Sequence, residues 1–400
     1  MLAAILIFAG TYFVLAVGRI PFLRVDRTGA AIVGASLMLA FNVLTVEEAY
    51  AAINYDTIIL LFGMMIVVAN LRLSGFFAAV AAWVVDHAHA PLVLLSGIVL
   101  VSGCFSAFFV NDTMCLVLTP LVLDITRRLG RKPIPYLLAV AMSSNIGSVA
   151  TITGNPQNMM IGSFSLIPYR TFAAQLAPVA AAGLALTIAV IALVYRAEFR
   201  LTAPLQVQHR PVRVNRPLLW KSLAVSAGMI VFFFAGLPVP KVAVIAGALL
   251  LLTRRVKPEK IYSEIDWSLL VLFIGLFIVI AGLEKTPVSA DLFAAAGRFH
   301  LDRTGPLSIF AALLSNLVSN VPAVLVFKTF IPNLAHPARA WIALAMSSTL
   351  AGNLTLLGSV ANLIVVQRAR AEVEISFREY ARAGVPLTIL SLAAGVWMLN

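Results

Sequence analysis

An all-α integral membrane protein with about ten transmembrane helices and two opposed re-entrant hairpins, built as an inverted repeat with helices broken at the midplane, is predicted by three features of the sequence. Of 400 residues, 61% are hydrophobic and only 12% charged, where a soluble domain carries roughly 25% charged residues. Apolar stretches recur along the whole chain, continuous rather than alternating, which excludes a β-barrel. In lipid the backbone must satisfy itself, so each stretch is read as helix. A polar motif rich in Gly and Asn also occurs twice in one register.

The apolar segments run over 1–18, 29–45, 56–73, 91–126, 135–163, 171–195, 217–236, 241–253, 267–283, 304–335, 340–366 and 383–399. The first has no basic leader and its apolar pattern continues, so it reads as a span and not as a cleaved signal. Segments 91–126 and 304–335 are too long for one span, and each has a polar break, Asn111-Asp112-Thr113 and Ser319-Asn320-Val321-Pro322. Basic loops at 19–28, 127–132, 196–221, 254–260 and 368–382 belong on the cytoplasmic side, and the acidic loop at 46–55 on the other. With that placement the hairpin 91–126 enters and leaves from the cytoplasm, and the hairpin 304–335 from the opposite side. Both termini then lie outside. The net charge of +12 is thus explained by loop retention, and a nucleic-acid partner is not expected. Two cysteines, Cys104 and Cys115, both in apolar segments, argue against a disulfide scaffold or a thiolate metal site.

Internal similarity divides the chain. Ala141-Met142-Ser143-Ser144 recurs as Ala345-Met346-Ser347-Ser348. Continued without gaps, Thr151 meets Thr355, Gly154 meets Gly358 and Asn158 meets Asn362; upstream, Asn111 pairs with Asn320. The first repeat is 1–195 (hairpin 91–126, broken helix 135–163) and the second 217–400 (hairpin 304–335, broken helix 340–366). The basic linker 196–216 joins them. An odd number of crossings inverts the second repeat, and inverted repeats with broken helices are the pattern of secondary transporters.

The chemistry is placed in the breaks. Ser143, Ser144, Asn145, Thr153, Gly154, Asn155 and Asn158 in the first repeat, with Ser347, Ser348, Thr349, Asn353, Gly358 and Asn362 in the second, bring hydroxyls, amides and unwound carbonyls to mid-membrane. With Asn111, Asp112, Thr113, Ser319 and Asn320 at the tips they are the candidate substrate and ion ligands. Half-helix N-termini there favour an anion. The rival reading is small-residue helix packing with Ser and Asn as polar glue. Charges inside the membrane are expensive and default to function. Asp112 and Lys328 are the proton-coupling candidates, although Lys328 can also snorkel outward. Asp124 beside Arg127 and Arg128 reads as an interfacial ion pair, and Asp56 and Asp266 as caps of matching spans. No Arg lies near either motif in sequence, which weakens a tightly held polyanion.

These residues resemble the ion transporter superfamily, in the Asn111-Asp112-Thr113 tip, Leu118-Thr119-Pro120, Thr153-Gly154-Asn155-Pro156-Gln157-Asn158 and Ser319-Asn320-Val321-Pro322. The group includes ArsB-type arsenite permeases, NhaD-type sodium–proton antiporters, and sodium-coupled dicarboxylate and sulfate symporters. The similarity is greatest to the arsenite permease and bacterial anion permease branch. The resemblance implies a scaffold domain, a mobile domain carrying the hairpins, elevator-like motion and a homodimer. The expected function is export of a small inorganic oxyanion or its neutral acid, arsenite or antimonite first, by proton antiport across the cell inner membrane. For an arsenite pump a peripheral ATPase is a further partner. A sodium–proton antiporter and a sodium-coupled anion symporter are the alternatives. A passive channel would need a continuous pore. No enzymatic constellation and no cofactor are expected.

Overall fold

The computed structural model describes residues 2–17, 25–200, 213–252, 256–288, 294 and 297–400. Of the basic positions read above, Arg19, Arg24, Arg210, Arg254 and Arg255 lie outside the described residues.

The chain is all-helical in its described spans. The first half begins with α1 (Leu2–Val17), α2 (Arg27–Ala40), the short α3 (Val46–Ala52), α4 (Tyr55–Leu73) and α5 (Phe76–His87). The first hairpin is α6 (Pro91–Phe108) and α7 (Asn111–Arg128), and the first broken helix is α8 (Pro133–Ser148) and α9 (Pro156–Ser165). Then come α10 (Tyr169–Val194) and α11 (Arg196–Phe199). The second half has α12 (Arg216–Phe234), α13 (Val239–Leu251), the short α14 (Pro258–Tyr262) and α15 (Trp267–Glu284). Its hairpin is α16 (Thr304–Val318) and α17 (Asn320–Lys328), its broken helix α18 (Pro337–Leu350) and α19 (Val360–Ala369), and α20 (Phe377–Leu399) ends the chain. The second hairpin is shorter than its apolar segment, because Ile331–Asn333 leaves the α-helix as a 3-10 turn.

Short polar side chains start these helices where spans meet water. Asp26 accepts from the Gly29 amide at 2.8 Å, Asn54 from Thr57 at 2.8 Å, and Asp266 from Leu269 at 3.0 Å. Each satisfies an amide that the first turn leaves open. Asp266 is therefore a cap as expected, whereas Asp56 lies inside the first turn that Asn54 caps. Among the described residues six helices, α4, α6, α10, α12, α15 and α20, are long and apolar enough to cross a bilayer on their own. The remaining spans are short helices or broken pairs.

Ion pairs gather the basic loops at one end. Arg127 pairs with Glu372 and Arg72 with Glu264, and Arg128 Nε donates to Asp124 Oδ1 at 3.0 Å. Arg131 Nε donates to Glu198 Oε1 at 2.8 Å in a nearly buried pair that Tyr136 OH joins at 3.2 Å. This pair ties the first hairpin to the short helix α11. The start of α2 belongs to the same end, since Thr28 Oγ1 donates to the Ser268 carbonyl at 3.3 Å. At the opposite end Lys285 meets Glu48, and Asn54 Nδ2 donates to Ser163 Oγ at 2.9 Å. Both chain termini belong there. Ala4 packs with Leu44 and Ala49, and Arg339 Nη2 donates to Asn400 Oδ1 at 3.2 Å.

The hairpins stop inside the bundle. The first tip is level with the first break, where Thr151 Oγ1 donates to the Ala107 carbonyl, and α9 continues beyond it for 10 residues, about 15 Å at helical rise. In the second, Asn316 Nδ2 donates to the Ala351 carbonyl at 2.9 Å, just before the second break. The hairpins and both broken helices form the polar centre of an otherwise apolar core. α8 is buried on every side from Pro135 onward, as a helix at the middle of a bundle must be.

Candidate functional site

Unwinding a helix in lipid frees carbonyls that must be paired. The two breaks solve this in one way. Residues 149–155 and 351–359 pass through 3-10 turns and extended residues: Thr151 and Asn155 in the first, Thr355 and Ser359 in the second. Asn158 Nδ2 donates to the carbonyls of Ser148 at 3.1 Å and Thr151 at 3.0 Å. Asn362 Nδ2 donates to those of Gly352 at 2.7 Å and Thr355 at 3.2 Å. Each half-helix that resumes is capped from the same register, α9 by Asn155 and α19 by Ser359.

Asn145 stands where the two repeats meet. Its Nδ2 donates to Asn353 Oδ1 at 2.8 Å and to Asn362 Oδ1 at 3.0 Å. Its Oδ1 accepts from Asn111 Nδ2 at 3.1 Å and from Ser359 Oγ at 3.0 Å. Two donors and two lone pairs are all that an amide side chain has, so Asn145 is saturated. It clamps the first tip, its own helix and both ends of the second break into one body. Asn353 adds a bond from Nδ2 to the Met142 carbonyl at 3.1 Å, and Ser144 Oγ donates to the Asn111 carbonyl at 3.0 Å.

A neighbouring cluster is built on the first break. Asn155 Nδ2 donates to Ser148 Oγ at 2.8 Å and to Thr349 Oγ1 at 3.3 Å, and Gln157 Nε2 reaches the same Thr349 oxygen at 3.2 Å. Thr153 Oγ1 and Tyr169 OH lie 2.9 Å apart. Gly154 is required sterically, because a Cβ there would lie 2.2 Å from the Ser148 carbonyl oxygen. At Gly358 the nearest atom to a Cβ would be Asn316 Oδ1 at 2.7 Å.

The predicted residues therefore divide. Asn111, Ser144, Asn145, Asn353 and Asn362 form one network; Thr153, Asn155, Asn158 and Thr349 line the adjoining one. Ser143, Ser347 and Ser348 donate instead to carbonyls of their own helices, at 2.5 Å, 2.6 Å and 2.7 Å. Asn320 lies beside Gly352 at the second tip. Asp112 and Thr113 are partly exposed in the first turn of α7, and among the described residues the Asp112 carboxylate has no hydrogen-bond donor or cation paired with it. Lys328 is paired away from Asp112. Its Nζ is 3.0 Å from Glu284 Oε1, at the end of α15, and 5.5 Å from the centre of the Phe164 ring.

Three buried side-chain oxygens of the centre, Asn111 Oδ1, Asn158 Oδ1 and Asn320 Oδ1, have no donor among the described residues. A buried amide oxygen left unpaired costs about 1–3 kcal/mol, so each of the three is an acceptor open to a donor.

Ser148, Asn316 and Ser359, the last a polar residue of the second break, take part beside the candidate ligands named from the sequence. Ser359 occupies the register of Asn155, and a hydroxyl can cap in place of an amide. Asn316 had no counterpart to mark it. Arg27 was missed for another reason. No Arg lies near the motifs along the chain, yet Arg27 lines one cavity with Asn316 and Ser319 of the second tip. Folding brings the start of α2 against that hairpin.

Comparison with known proteins fits this architecture. The chain is 30% identical over 465 residues to the silicon efflux transporter LSI3 of Oryza sativa subsp. japonica, covering 98% of this chain and 96% of that protein. It is 30% identical to a 46 kDa membrane protein of Mycobacterium leprae, over 98% of both. The crystal structure of the Alcanivorax borkumensis YdaH transporter superposes with a TM-score of 0.63 over 99% of this chain and 95% of that one, at 14% identity, a likeness of fold. Residues 11–340 match the citrate transporter family, and with hairpins, broken helices and amide centre in place, the chain belongs to that family of membrane transporters.

Proposed function

We propose that the protein exports a small neutral inorganic hydroxy-acid, of the arsenous, antimonous or silicic acid class, by exchange for protons. The observation that carries this reading is the set of three unpaired amide oxygens at Asn111, Asn158 and Asn320. An ionised carboxylate offers only acceptors, and acceptors facing acceptors repel. A neutral hydroxy-acid brings several O–H donors and no charge to desolvate. The rice relative at 30% identity is named for silicon efflux, and the resemblance to arsenite permeases points to the same kind of solute.

Asp112 is the proton carrier in this scheme. It sits on the first turn of α7, next to Asn111 of the central network. The basic end is the cytoplasmic one, the termini are outside, and the chain resides in the cell inner membrane as a homodimer. Hairpins and broken helices move together against α1, α2, α4, α12, α13 and α15. A second reading has one specific support: amide oxygens are also hard-cation ligands, so the same three oxygens suit sodium.

Proteoliposomes with an imposed pH gradient test both readings. Arsenite, antimonite or silicic acid should move and collapse the gradient, with no need for sodium. Flux of citrate that requires sodium, with none of the neutral acids, would overturn the proposal.

A further inference from the structure

Three contacts among the described residues join the hairpins and broken helices to the helices around them. Tyr12 OH on α1 donates to the Pro322 carbonyl on α17 at 3.0 Å. Asn54, which caps α4, and Ser163, near the end of α9, bond to each other twice, at 2.9 Å and 3.0 Å. Lys328 Nζ, in the last turn of α17, donates to Glu284 Oε1 at the end of α15 across 3.0 Å. The last two contacts lie at the acidic end, where Lys285, the residue after Glu284, turns to Glu48. At the basic end a cavity of about 490 Å³ lies between the second hairpin and the junction of α1 with α2. The cavity at the acidic end, about 340 Å³, has no residue of either hairpin among its described lining residues.

Phe164 joins the acidic-end contacts into one unit. It follows Ser163 in α9, and its ring centre is 5.5 Å from Lys328 Nζ. The rings of Phe277 on α15 and Trp341 on α18 lie 6.5 Å and 6.1 Å from it. The ammonium of α17 is thus held by a carboxylate of α15 and by an aromatic ring of α9. Both charged side chains are 33% exposed. An ion pair fully open to water contributes little, and one sealed inside the bundle would leave two buried charges each time it opened. The Lys328–Glu284 pair lies between these limits. It is strong enough to bias a conformation and weak enough to part.

We propose that Lys328, Glu284 and Phe164 form a latch that fastens the second hairpin and the first broken helix to α15 at the acidic end, and so favours the state whose cavity opens at the basic end. The latch rests on the transport reading, because it matters only if the hairpins move against α15. It deepens that reading by naming side chains that set the balance between the two end states. A contact made in one state and lost in the other shifts their populations by its differential strength. Opening toward the acidic end therefore requires Lys328 and Glu284 to part.

The test reads populations and needs neither solute nor flux. Cys104 and Cys115 are changed to Ala, and a reporter, Leu357→Cys, is placed in the basic-end cavity, where Leu357 is 60% exposed. Its rate of modification by a charged thiol reagent is measured in detergent, and thermal melting is recorded for each variant. Glu284→Gln and Lys328→Gln should each slow labelling severalfold, because molecules leave the state open at the basic end; unfolding would speed it instead. The double variant should label like either single one, since both lose the same contact. Glu284→Asp keeps the charge and shortens its reach, so it should slow labelling less, and it carries the test if a Gln variant fails to fold. Unchanged or faster labelling in the folded single variants would overturn the proposal. So would a double variant slowed by the product of the two single effects, or unchanged labelling of Glu284→Asp where that variant carries the test. Flux of the neutral acids by the wild type is measured separately. Its absence would sink the transport reading, whereas normal flux with labelling indifferent to the pair would sink the latch alone.

Discussion

The two hairpin tips occupy matching places in the two halves, yet they are held differently. Asn111 at the first tip is 3% exposed and bonded to Asn145 by its side chain and to Ser144 by its carbonyl. The second tip turns through Ser319 at φ +80° and ψ 157°, a region where residues other than glycine are strained. It is anchored one turn earlier, through Asn316, and on α1 through the bond from Tyr12 OH to the Pro322 carbonyl at 3.0 Å. The first tip is bonded into the central amide network, whereas the second is bonded to α1 and to the start of the second break. A repeat that duplicates the backbone need not duplicate the locks, and the difference lies in a few polar side chains.

The largest effect is expected at Asn145. Asn145→Ala removes four hydrogen bonds and leaves Asn111, Asn353, Asn362 and Ser359 without that partner. With about 1–3 kcal/mol for each buried group left unpaired, it should abolish transport and lower the melting temperature by several degrees. Near-normal melting would show that the clamp is dispensable. The glycines of the two breaks come next. Gly154→Ala would put a Cβ 2.2 Å from a backbone oxygen, whereas Gly352→Ala meets nothing closer than Ser359 Cβ at 3.2 Å. Thermal unfolding should rank Gly154→Ala well below Gly352→Ala, and equal losses would mean that the first break is no tighter than the second.

A smaller effect of opposite sign is expected at the second tip. Ser319→Gly relieves the positive φ and should raise stability by about 1 kcal/mol, read as a higher melting temperature. Unchanged or lowered melting would show that the Ser319 hydroxyl contributes more than its backbone costs. Smallest of all is a contact remote from either tip. Hydrogen bonds from Lys285 and the Thr45 amide hold the Glu48 carboxyl below the usual Glu range. A depressed carboxyl pKa adds stability above its unfolded value, and that stability is lost as the pH falls through the folded value. Glu48→Gln should therefore flatten slightly the acid limb of the stability–pH curve. An unaltered limb would remove this contact from the account.

Much of this was legible because it is written in local chemistry. Continuous apolar runs with polar interruptions marked both hairpins and both breaks, and the repeated Ala-Met-Ser-Ser run set the register that pairs Asn158 with Asn362. Those two asparagines do the same work on unwound carbonyls. What the sequence withheld depends on contacts between distant segments. Nothing local tells Asn145, which meets four partners, from Ser143, which bonds to its own helix. Lys328 stands alone as a charge along its segment, and only the fold brings Glu284 beside it. Arg27 is far from every motif along the chain and next to one in space. The cap residues were legible in type and uncertain in position, as at Asp56 and Asn54.

In the proposed function the first hairpin tip couples protons to solute through Asp112, beside a centre that binds a neutral acid. Net arsenite flux driven by a pH gradient and arsenite exchange without a gradient, measured in the same proteoliposomes for the wild type and Asp112→Asn, test it most directly. Asparagine is nearly isosteric and can still serve in a helix first turn, so a purely structural role would survive the change. Asp112→Asn should lose gradient-driven flux while exchange persists. Gradient-driven flux equal to that of the wild type, with the same pH dependence, would contradict it.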